Sequence, residues 1–489
     1  MRATFSGIEI ARRALQAQQV SLDTVGHNIA NANTPGYSRQ VAVHTASRPY
    51  PVPQFTHNPV NGMLGTGVEI ARMSRMRDEF VEMRLRQEQH NQYYWQMISD
   101  GLEQVELIYN EPSENGIHYA LEQFWDAWQE LSVNPQSEAV RAVVLQRGEV
   151  LASAINHVRY QLGKLRNNYN DLVAVKVNEI NNYAERIAAL NRDIVKVNAA
   201  GYQPNDLLDQ RDQLLQELSK IVNIEVVVDQ YGAASVSISG ATLVQRNEVF
   251  KLAVRPVEPH LRPNPPYEQM EVVWEGSNAK AEIRGGQLGG ILEFRDGYVQ
   301  DYIQDLNEWT ADFINIVNEI HSRGYNMNAE TDLPFFVLAT GLDPDLIDAD
   351  ADPSLHIKVA VQRPSEIAAS SQIDADGNVV VGNGAIALEL AQLRHTKING
   401  TENTIGTLFN AMISKIGVDA LESASMEENS KALINHLENM REAVSGVNLD
   451  EEMADMIRYQ HAYSAAARMM TAMDQVLDII VNRLGLFGR

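Results

Sequence analysis

The chain has 489 residues, and none of them is cysteine. Disulfides, thiolate zinc sites and cysteine nucleophiles are therefore excluded within this sequence. Positive charge is also scarce, because 40 Lys and Arg residues stand against 64 Asp and Glu residues and leave a net charge of −24. Phosphate binding requires a basic surface, so nucleic acid is not an expected partner.

Long apolar runs are absent as well. A membrane helix needs roughly 18 apolar residues, whereas the densest run here, 476–481, is short and contains Asp478. Residues 1–10 lack the basic start and apolar stretch of a Sec signal peptide, so neither a membrane span nor such a peptide is predicted. With 44% hydrophobic and 21% charged residues, the composition is that of a folded protein with about two to four domains.

Motifs typical of enzymes and metal sites are missing too. No two histidines lie within four residues of each other, no serine has the Gly-x-Ser-x-Gly spacing, and no Walker A motif is present. Segment 374–378 resembles the start of a calcium loop, but Gly377 comes too early, so a β-turn is predicted. Segment 379–387 imitates a dinucleotide-binding turn without its acidic second strand, so a strand followed by a helix is predicted. We predict no cofactor and no metal.

A seven-residue apolar repeat is present at each end of the chain, which is typical of helices that pack along one another. The N-terminal stripe is Ile8, Leu15, Leu22 and Ile29, with Val25 on the neighbouring seam. The C-terminal stripe is Leu449, Met456, Tyr463, Met470, Leu477 and Leu484, with Met453 beside it. Asn448 and Glu451 form a capping-box pattern, which predicts that the second helix begins at residue 449. We expect both stripes to be assembly interfaces that are incompletely buried in one copy and are completed by neighbouring subunits.

Long helices and one β-rich segment are predicted between these ends. No proline lies between Pro135 and Pro204, and the apolar spacing predicts a continuous helix with one eleven-residue step. A second helix, 291–320, carries an aromatic stripe that we assign to the core. Residues 221–290 alternate in steps of two between turns. The predicted fold is mainly α with an inserted small β domain, and its long-helix, coiled-coil-like bundle is made from both N- and C-terminal halves.

Three domains follow from these boundaries. Residues 1–60 with 448–489 form a domain of terminal helices and a turn. Residues 61–222 with 286–447 form the long-helix bundle, which includes the loop-rich and acidic segment 333–380. Residues 223–285 form the β domain.

One local cluster of basic residues also needs an interpretation. It consists of Arg72, Arg75, Arg77, Arg84 and Arg86. Glu69, Asp78, Glu79, Glu82 and Glu88 are interleaved with these arginines and cancel their field. We therefore predict surface ion pairs rather than a groove for nucleic acid.

Residues 28–40 have the sequence Asn-Ile-Ala-Asn-Ala-Asn-Thr-Pro-Gly-Tyr-Ser-Arg-Gln. Proline followed by glycine suits the two central positions of a type II turn between a helix and a strand. The turn residues are Ala32, Asn33, Thr34, Pro35, Gly36 and Tyr37. Together with the N-terminal helix, this motif resembles the axial family of the bacterial flagellum, which comprises rod, hook and hook-associated subunits. Segment 448–454 is similar to the same family, and 37–40, 205–212, 367–370 and 385–393 resemble its hook-associated members.

The resemblance implies a structural subunit, not an enzyme, in a short ring at the junction between hook and filament. It implies an extracellular location after type III export without a cleaved signal peptide. The implied partners are other copies of the chain, the hook protein, a second hook–filament junction protein, and an export chaperone at the C-terminal helix. The alternatives are another axial subunit such as a hook or distal-rod protein, an enzyme with a site in the β insertion or the acidic loop, and an unrelated coiled-coil scaffold.

Overall fold

The computed structural model describes residues 6–49, 65–257, 269–339, 351–398 and 403–479. Helices dominate and the strands form small sheets, which confirms the predicted mainly α class with a small β region. The chain divides into two compact units. Unit 1 comprises Met1–Gln89, Asn181–Lys251 and Lys431–Arg489, and unit 2 comprises His90–Ile180 and Leu252–Ser430.

This division differs from the three predicted domains of 1–60 with 448–489, 61–222 with 286–447, and 223–285. The β segment is shared between the units because different side chains hold its two parts. In unit 1, the Asn191 side chain hydrogen-bonds the backbone of Ala234 and Arg246. In unit 2, Asn170 Oδ1 accepts a hydrogen bond from the backbone N–H of Met270. Each unit therefore contains its own small β element.

The helices account for most of the described chain. They are α1 (Ser6–Ala30), α2 (Glu79–Tyr109), α3 (Ile117–Val133), α4 (Glu138–Ala199), α5 (Asn205–Ile221), α6 (Gly286–Glu293), α7 (Val299–Ser322), α8 (Pro353–His356), α9 (Ala385–Gln392), α10 (Ile405–Ser445) and α11 (Leu449–Asp478). The 62-residue α4 confirms the continuous helix that the proline-free segment predicts. α11 begins at Leu449 as predicted, because Asn448 Oδ1 accepts from the N–H groups of Asp450 and Glu451 at 3.0 and 3.4 Å.

The strands pair antiparallel in small sheets. They are β1 (Gln40–Ala46), β2 (Val68–Arg75), β3 (Glu225–Val228), β4 (Ala234–Ile238), β5 (Ala241–Gln245), β6 (Glu248–Val249), β7 (Leu252–Pro256), β8 (Met270–Trp274), β9 (Phe336–Leu338) and β10 (Ile357–Val359). β1 pairs with β2, β7 with β8 and β9 with β10, and β3 to β6 form one sheet in chain order. β9, α8 and β10 give the segment 333–371 its mixed structure, whereas most of its acidic run, 343–350, lies outside the described residues.

Unit 2 has an aromatic core. Its rings come from α3, α7 and the start of β9, and they are Phe124, Trp125, Trp128, Phe313, Phe335 and Phe336. The aromatic stripe predicted for the core includes Phe294, Tyr302 and Trp309, and all three are buried. A π-helical turn, Phe294–Tyr298, separates α6 from α7 and holds a buried Arg295, which hydrogen-bonds Asn170 Oδ1 and Met270 O. This turn is not visible in the apolar spacing.

The two segments that imitate ligand-binding loops are ordinary turns. Gly377 N donates to Asp374 O at 3.2 Å, and Asp374 Oδ1 accepts from the N–H groups of Asp376 and Asn378. These bonds confirm the predicted β-turn. The predicted strand is wrong, because this segment forms only a single β-bridge between Val379 and Ile373, whereas the predicted helix forms as α9 from residue 385.

Candidate assembly interface

The two terminal helices lie against each other in unit 1. α1 packs along α11, and the contact is close at Gly7, where an added Cβ atom would stand 2.8 Å from Met473 Sδ. Of the described residues in the two predicted stripes, only Val25 is fully buried, whereas Leu449 and Met453 are 50% and 57% exposed. Ile8, Leu15, Leu22, Ile29, Met456, Met470 and Leu477 are partly buried, Tyr463 is exposed, and Leu484 lies outside the described residues. The pairing of α1 with α11 therefore leaves part of each stripe at the surface.

The predicted turn joins α1 to β1. Tyr37 N donates to Thr34 O at 3.2 Å. Gly36 has φ +77°, which is the left-handed value that the third position of a type II turn requires. All six turn residues, from Ala32 and Asn33 to Tyr37, line a cleft of about 260 Å³. Arg441 and Ser445 of α10 also line this cleft.

Asn28 connects α1 to both β1 and α11. Its Nδ2 donates to Gln40 O and to Glu452 Oε2, both at 2.9 Å. Its Oδ1 accepts from Gln40 N at 3.0 Å and from the Tyr37 hydroxyl at 2.7 Å. Burial, together with the nearby charges of Asp206, Asp209 and Glu452, raises the pKa of Tyr37, so its phenol stays protonated and donates. The amide of Asn28 thus uses its full hydrogen-bonding capacity.

Arg39 ties the residues after the turn to the first turn of α11. Its Nε lies 2.6 Å from Glu452 Oε1, and its Nη1 lies 3.2 Å from Glu451 Oε2. The Glu452 side chain is only 2% exposed, so its carboxylate needs partners inside the fold. Arg39 supplies the opposite charge, and Asn28 donates a hydrogen bond. Arg39 N also donates to Ser445 O at the end of α10.

The arginine cluster pairs with α5 in addition to its sequence neighbours. Arg75 Nη1 lies 2.7 Å from Asp209 Oδ1 and 2.9 Å from Asp212 Oδ2. Arg77 Nη1 lies 3.0 Å from Asp212 Oδ2, and its Nη2 lies 2.8 Å from Glu82 Oε2. These side chains are at most 16% exposed. The prediction of surface ion pairs is therefore wrong for Arg75 and Arg77, because the fold brings α5 carboxylates over them and buries the pairs.

The four segments that the sequence singled out meet at this point of unit 1. Asp209 Oδ2 accepts from Ser38 N, and Gln40 hydrogen-bonds both Asp206 and Asn205. Residues 28–40, 205–212, 448–454 and the arginine cluster thus form one polar network. Sequence reasoning found the segments by their motif, but it missed the roles of Asn28, Arg39 and Glu452. The available signal for Asn28 and Glu452 was a polar side chain at a helix position next to apolar ones, whereas Arg39 lies between the turn and β1 and carries no such signal.

No group of three His, Asp or Glu side chains in the described ranges is arranged to hold a metal ion. No helix in the described part of the chain has the length and apolar character to cross a membrane.

Comparison with known proteins places the chain in a class. Residues 8–37 match the model for the flagella basal body rod protein, and 442–484 match that for the flagellar basal body rod FlgEFG protein C-terminal region. Residues 102–336 match the model for the flagellar hook-associated protein FlgK helical domain. The chain is thus an axial protein of the bacterial flagellum, as the resemblance of its termini predicted.

Full-length relatives narrow the assignment. The chain is 30% identical to flagellar hook-associated protein 1 of Bacillus subtilis over the whole of both chains. It is 25% identical to the protein of that name from Salmonella typhimurium, over 97% of this chain and 99% of the relative. The flagellar hook junction protein FlgK from Burkholderia pseudomallei shares the fold with a TM-score of 0.63 at 16% identity, over 75% of this chain and 100% of that one. The chain belongs to the flagellar hook-associated protein 1 family, and it is a structural subunit of the flagellum at the hook–filament junction.

Proposed function

We propose that the chain joins hook to filament by packing α1 and α11 against the same helices of neighbouring copies. The proposal rests on the exposure of α11. Leu449, Met453 and Ile457 lie four residues apart on one face of this helix and are 50%, 57% and 53% exposed. Burying an apolar side chain of this size contributes about 1.5 to 3 kcal/mol before ordering entropy is subtracted. Three such side chains on each copy therefore favour association of neighbouring subunits, and the contacts of α1 add to them.

Charge substitution on this face tests the proposal. We expect Met453→Asp to abolish incorporation into flagella, because a carboxylate would replace an apolar contact at an exposed position where the isolated fold tolerates it. Ala465→Asp changes an exposed position on another face of α11 and is the control. The amount of chain in purified flagella, measured by immunoblotting, gives the answer. Normal filaments from Met453→Asp would contradict the proposal.

Charge substitution also tests the predicted stripe of α1. Leu22→Asp and Leu477→Asp should leave unit 2 folded but prevent incorporation at the junction. All five tryptophans lie in unit 2, so tryptophan fluorescence checks that this unit remains intact. Gln16→Asp is the matched control, because Gln16 is exposed on α1 and is neither three nor four residues from any member of the stripe.

Hydrogen exchange shows whether the two terminal helices are fully packed in one copy or need neighbouring copies to cover them. In the isolated protein, we expect amides in 6–30 and 449–478 to exchange faster than those in 139–200. The difference should disappear in assembled flagella, because neighbouring copies then cover both helices. Equal protection in the isolated chain would mean that α1 and α11 need no further partner.

The further partners in this proposal are the hook protein, a second hook–filament junction protein, and an export chaperone that binds α11 before assembly. The exposed apolar face of α11 is the feature that a chaperone would cover. A photoreactive phenylalanine analogue at position 453 should cross-link to a small cytoplasmic protein before export and to axial proteins afterwards. Recovery of the same cytoplasmic cross-link when the analogue is placed at position 465 instead would argue against a specific site.

The proposed role is mechanical rather than catalytic, and export is proposed to occur through the flagellar type III channel without cleavage of a signal peptide. The polar side chains that meet near Asn28 hydrogen-bond or pair with one another. N-terminal sequencing of the chain recovered from flagella tests the export route. A terminus that begins well inside α1 would show that a segment had been removed.

A further inference from the structure

A groove of about 970 Å³ lies within unit 1, between β2, the start of α2, α5 and β3. We call it the arginine groove. Five arginines line it: Arg72, Arg75, Arg77, Arg86 and Arg211. The carboxylates that line it are Glu79, Glu82 and Asp212, and Asp209 pairs with Arg75 and Arg77. Positive charge therefore exceeds negative charge in this groove, although the whole chain carries a net charge of −24.

Arg211 supplies a buried guanidinium to the groove. Its side chain is 4% exposed. Its Nη1 donates to Gly232 O at 2.6 Å, and its Nη2 lies 3.6 Å from Asp212 Oδ1, whereas its Nε has no acceptor among the described residues. Burial lowers the pKa of Arg211, and the nearby charges of Arg75 and Arg77 act in the same direction. A buried donor without an acceptor costs free energy, which an added carboxylate or carbonyl oxygen would recover.

The rim of the groove is apolar and includes residues of β3. Phe80, Met83 and Val228 line the groove and are 63%, 44% and 53% exposed. β3 is the first strand of its four-stranded sheet, so one of its edges has no strand partner among the described residues. An exposed edge of this kind accepts an extended segment by backbone pairing, while pockets beside it select the side chains.

We propose that the arginine groove binds an extended, acidic segment of a second copy of this chain. The segment places a carboxylate over the arginines, apolar side chains against Phe80 and Met83, and its backbone along β3. Charge complementarity favours a second copy, since the chain has 64 acidic residues and a pI near 4.9. The contact is heterologous, because a groove on one copy receives a segment of the next, as an open ring or axial array requires. This inference rests on the proposed function, which brings copies together at the junction.

Photo-crosslinking in assembled flagella tests the inference. Phe80 is replaced by a photoreactive phenylalanine analogue, which preserves the aromatic ring at the rim. Phe250 is the matched control position, because it is also an exposed phenylalanine of unit 1, at 45%, and does not line the groove. Flagella are purified, irradiated and digested, and the cross-linked peptides are identified by mass spectrometry. We expect position 80, but not position 250, to yield a peptide of this same chain that contains Asp or Glu.

Charge reversal at the groove provides the second arm. Arg72 is exposed, lines the groove and has no ion-pair partner among the residues described. Arg72→Glu should lower the yield of the cross-link from position 80 about fivefold, because an attraction becomes a repulsion. Arg192→Glu makes the same change of charge on α4, away from the groove, and should leave the yield unchanged.

The outcomes separate the inference from the function on which it rests. A self-derived acidic peptide with the expected charge dependence supports the inference. Incorporated protein whose position 80 cross-links only to a different protein, or to nothing, overturns the inference and leaves the proposed function standing. If neither photoreactive variant enters flagella while Arg192→Glu does, the analogue disrupts assembly at both positions. The incorporation of Arg72→Glu then decides the question. Normal incorporation overturns the inference, and reduced incorporation supports it. Failure of the unsubstituted chain to enter flagella overturns both the inference and the proposed function.

Discussion

At the scale of single residues, buried polar side chains decide how the termini of this chain are joined. Asn28 is 1% exposed and is matched atom by atom, since its two donors and two acceptor positions all have partners. Replacing the Nδ2 group by an oxygen is unfavourable at such a site, because a donor would become an acceptor that faces other acceptors. Shape alone does not explain the presence of asparagine here.

Asn28→Asp tests this requirement. The new carboxylate oxygen would replace the Nδ2 that faces Gln40 O and Glu452 Oε2, so we expect unit 1 to lose about 2 to 4 kcal/mol of stability. Amide protection in α1 and α11, measured by hydrogen exchange, reports the loss. Asn33→Asp makes the same chemical change at an exposed position of the turn and should have little effect. Similar protection in the two variants would show that the Asn28 bonds contribute little.

His321 is a fully buried histidine of unit 2. Its Nε2 accepts from Ala368 N at 2.9 Å, so its Nδ1 carries the proton and donates to Leu333 O at 2.6 Å. The rings of Trp128 and Phe335 also pack on it. Burial lowers the pKa of His321 to about 4, and the charge of Arg141 acts in the same direction. A second proton would place two N–H groups against each other at Nε2.

Unit 2 should therefore lose stability in mild acid. Above pH 6.5 the histidine is neutral in both folded and unfolded chains and contributes no pH dependence. Between pH 6.5 and about 4 only the unfolded chain binds the proton, so the contribution of His321 falls by about 3 kcal/mol over that range. Urea unfolding followed by tryptophan fluorescence at several pH values measures it. His321→Gln, which does not titrate, should show a shallower slope, and equal slopes would exclude this origin.

At the scale of elements, the sequence predicted what local periodicity and capping determine. α4 and the start of α11 follow from apolar spacing, the absence of proline and the Asn448 cap, and the turn at Gly36 follows from its dipeptide. The family resemblance picked out 28–40, 205–212 and 448–454, which meet in the polar network near Asn28. The polar network depends on contacts such as Asn28–Glu452 and Ser38–Asp209, between residues more than a hundred positions apart. The division of the β segment depends on contacts between residues 43 to 100 positions apart. No local pattern encodes either.

A helix crossing in unit 2 shows the same limit. Gly290 of α6 lies so close to α2 that an added Cβ would stand 2.6 Å from Tyr94 O and 2.9 Å from Met97 Cβ. At the adjacent Gly289 the nearest atoms are 3.4 and 3.5 Å away, which is ordinary contact. From the sequence, two successive glycines in a helix are indistinguishable. In the fold, only one of them permits the crossing.

Alanine substitution should separate the two glycines. Gly290→Ala forces a backbone carbonyl away and should destabilise unit 2 by about 1 to 3 kcal/mol. Gly289→Ala should be neutral or stabilising by up to about 1 kcal/mol, because alanine favours the helix more than glycine does. Urea midpoints from tryptophan fluorescence compare them directly. A destabilised Gly289→Ala with an unaffected Gly290→Ala would mean that α6 and α2 do not cross as described.

At the scale of the whole molecule, the two units are stabilised by different chemistry. Unit 1 joins chain segments through Asn28, Arg39 and the arginine pairs with α5, whereas unit 2 is centred on aromatic rings. Each has its own set of internal contacts. Chains with separate cores commonly unfold in more than one transition. The location of every tryptophan in unit 2 makes the transitions distinguishable by their probes.

We therefore expect urea unfolding measured by tryptophan fluorescence and by far-ultraviolet circular dichroism to give transitions that do not coincide. Fluorescence reports unit 2 alone, and circular dichroism reports helices in both units. Asn28→Asp should move the dichroism transition that fluorescence does not detect, and Gly290→Ala should move the fluorescence transition. Coincident curves that both substitutions shift together would show instead that α2, α4 and α10, whose residues belong to both units, make the chain unfold as a single cooperative structure.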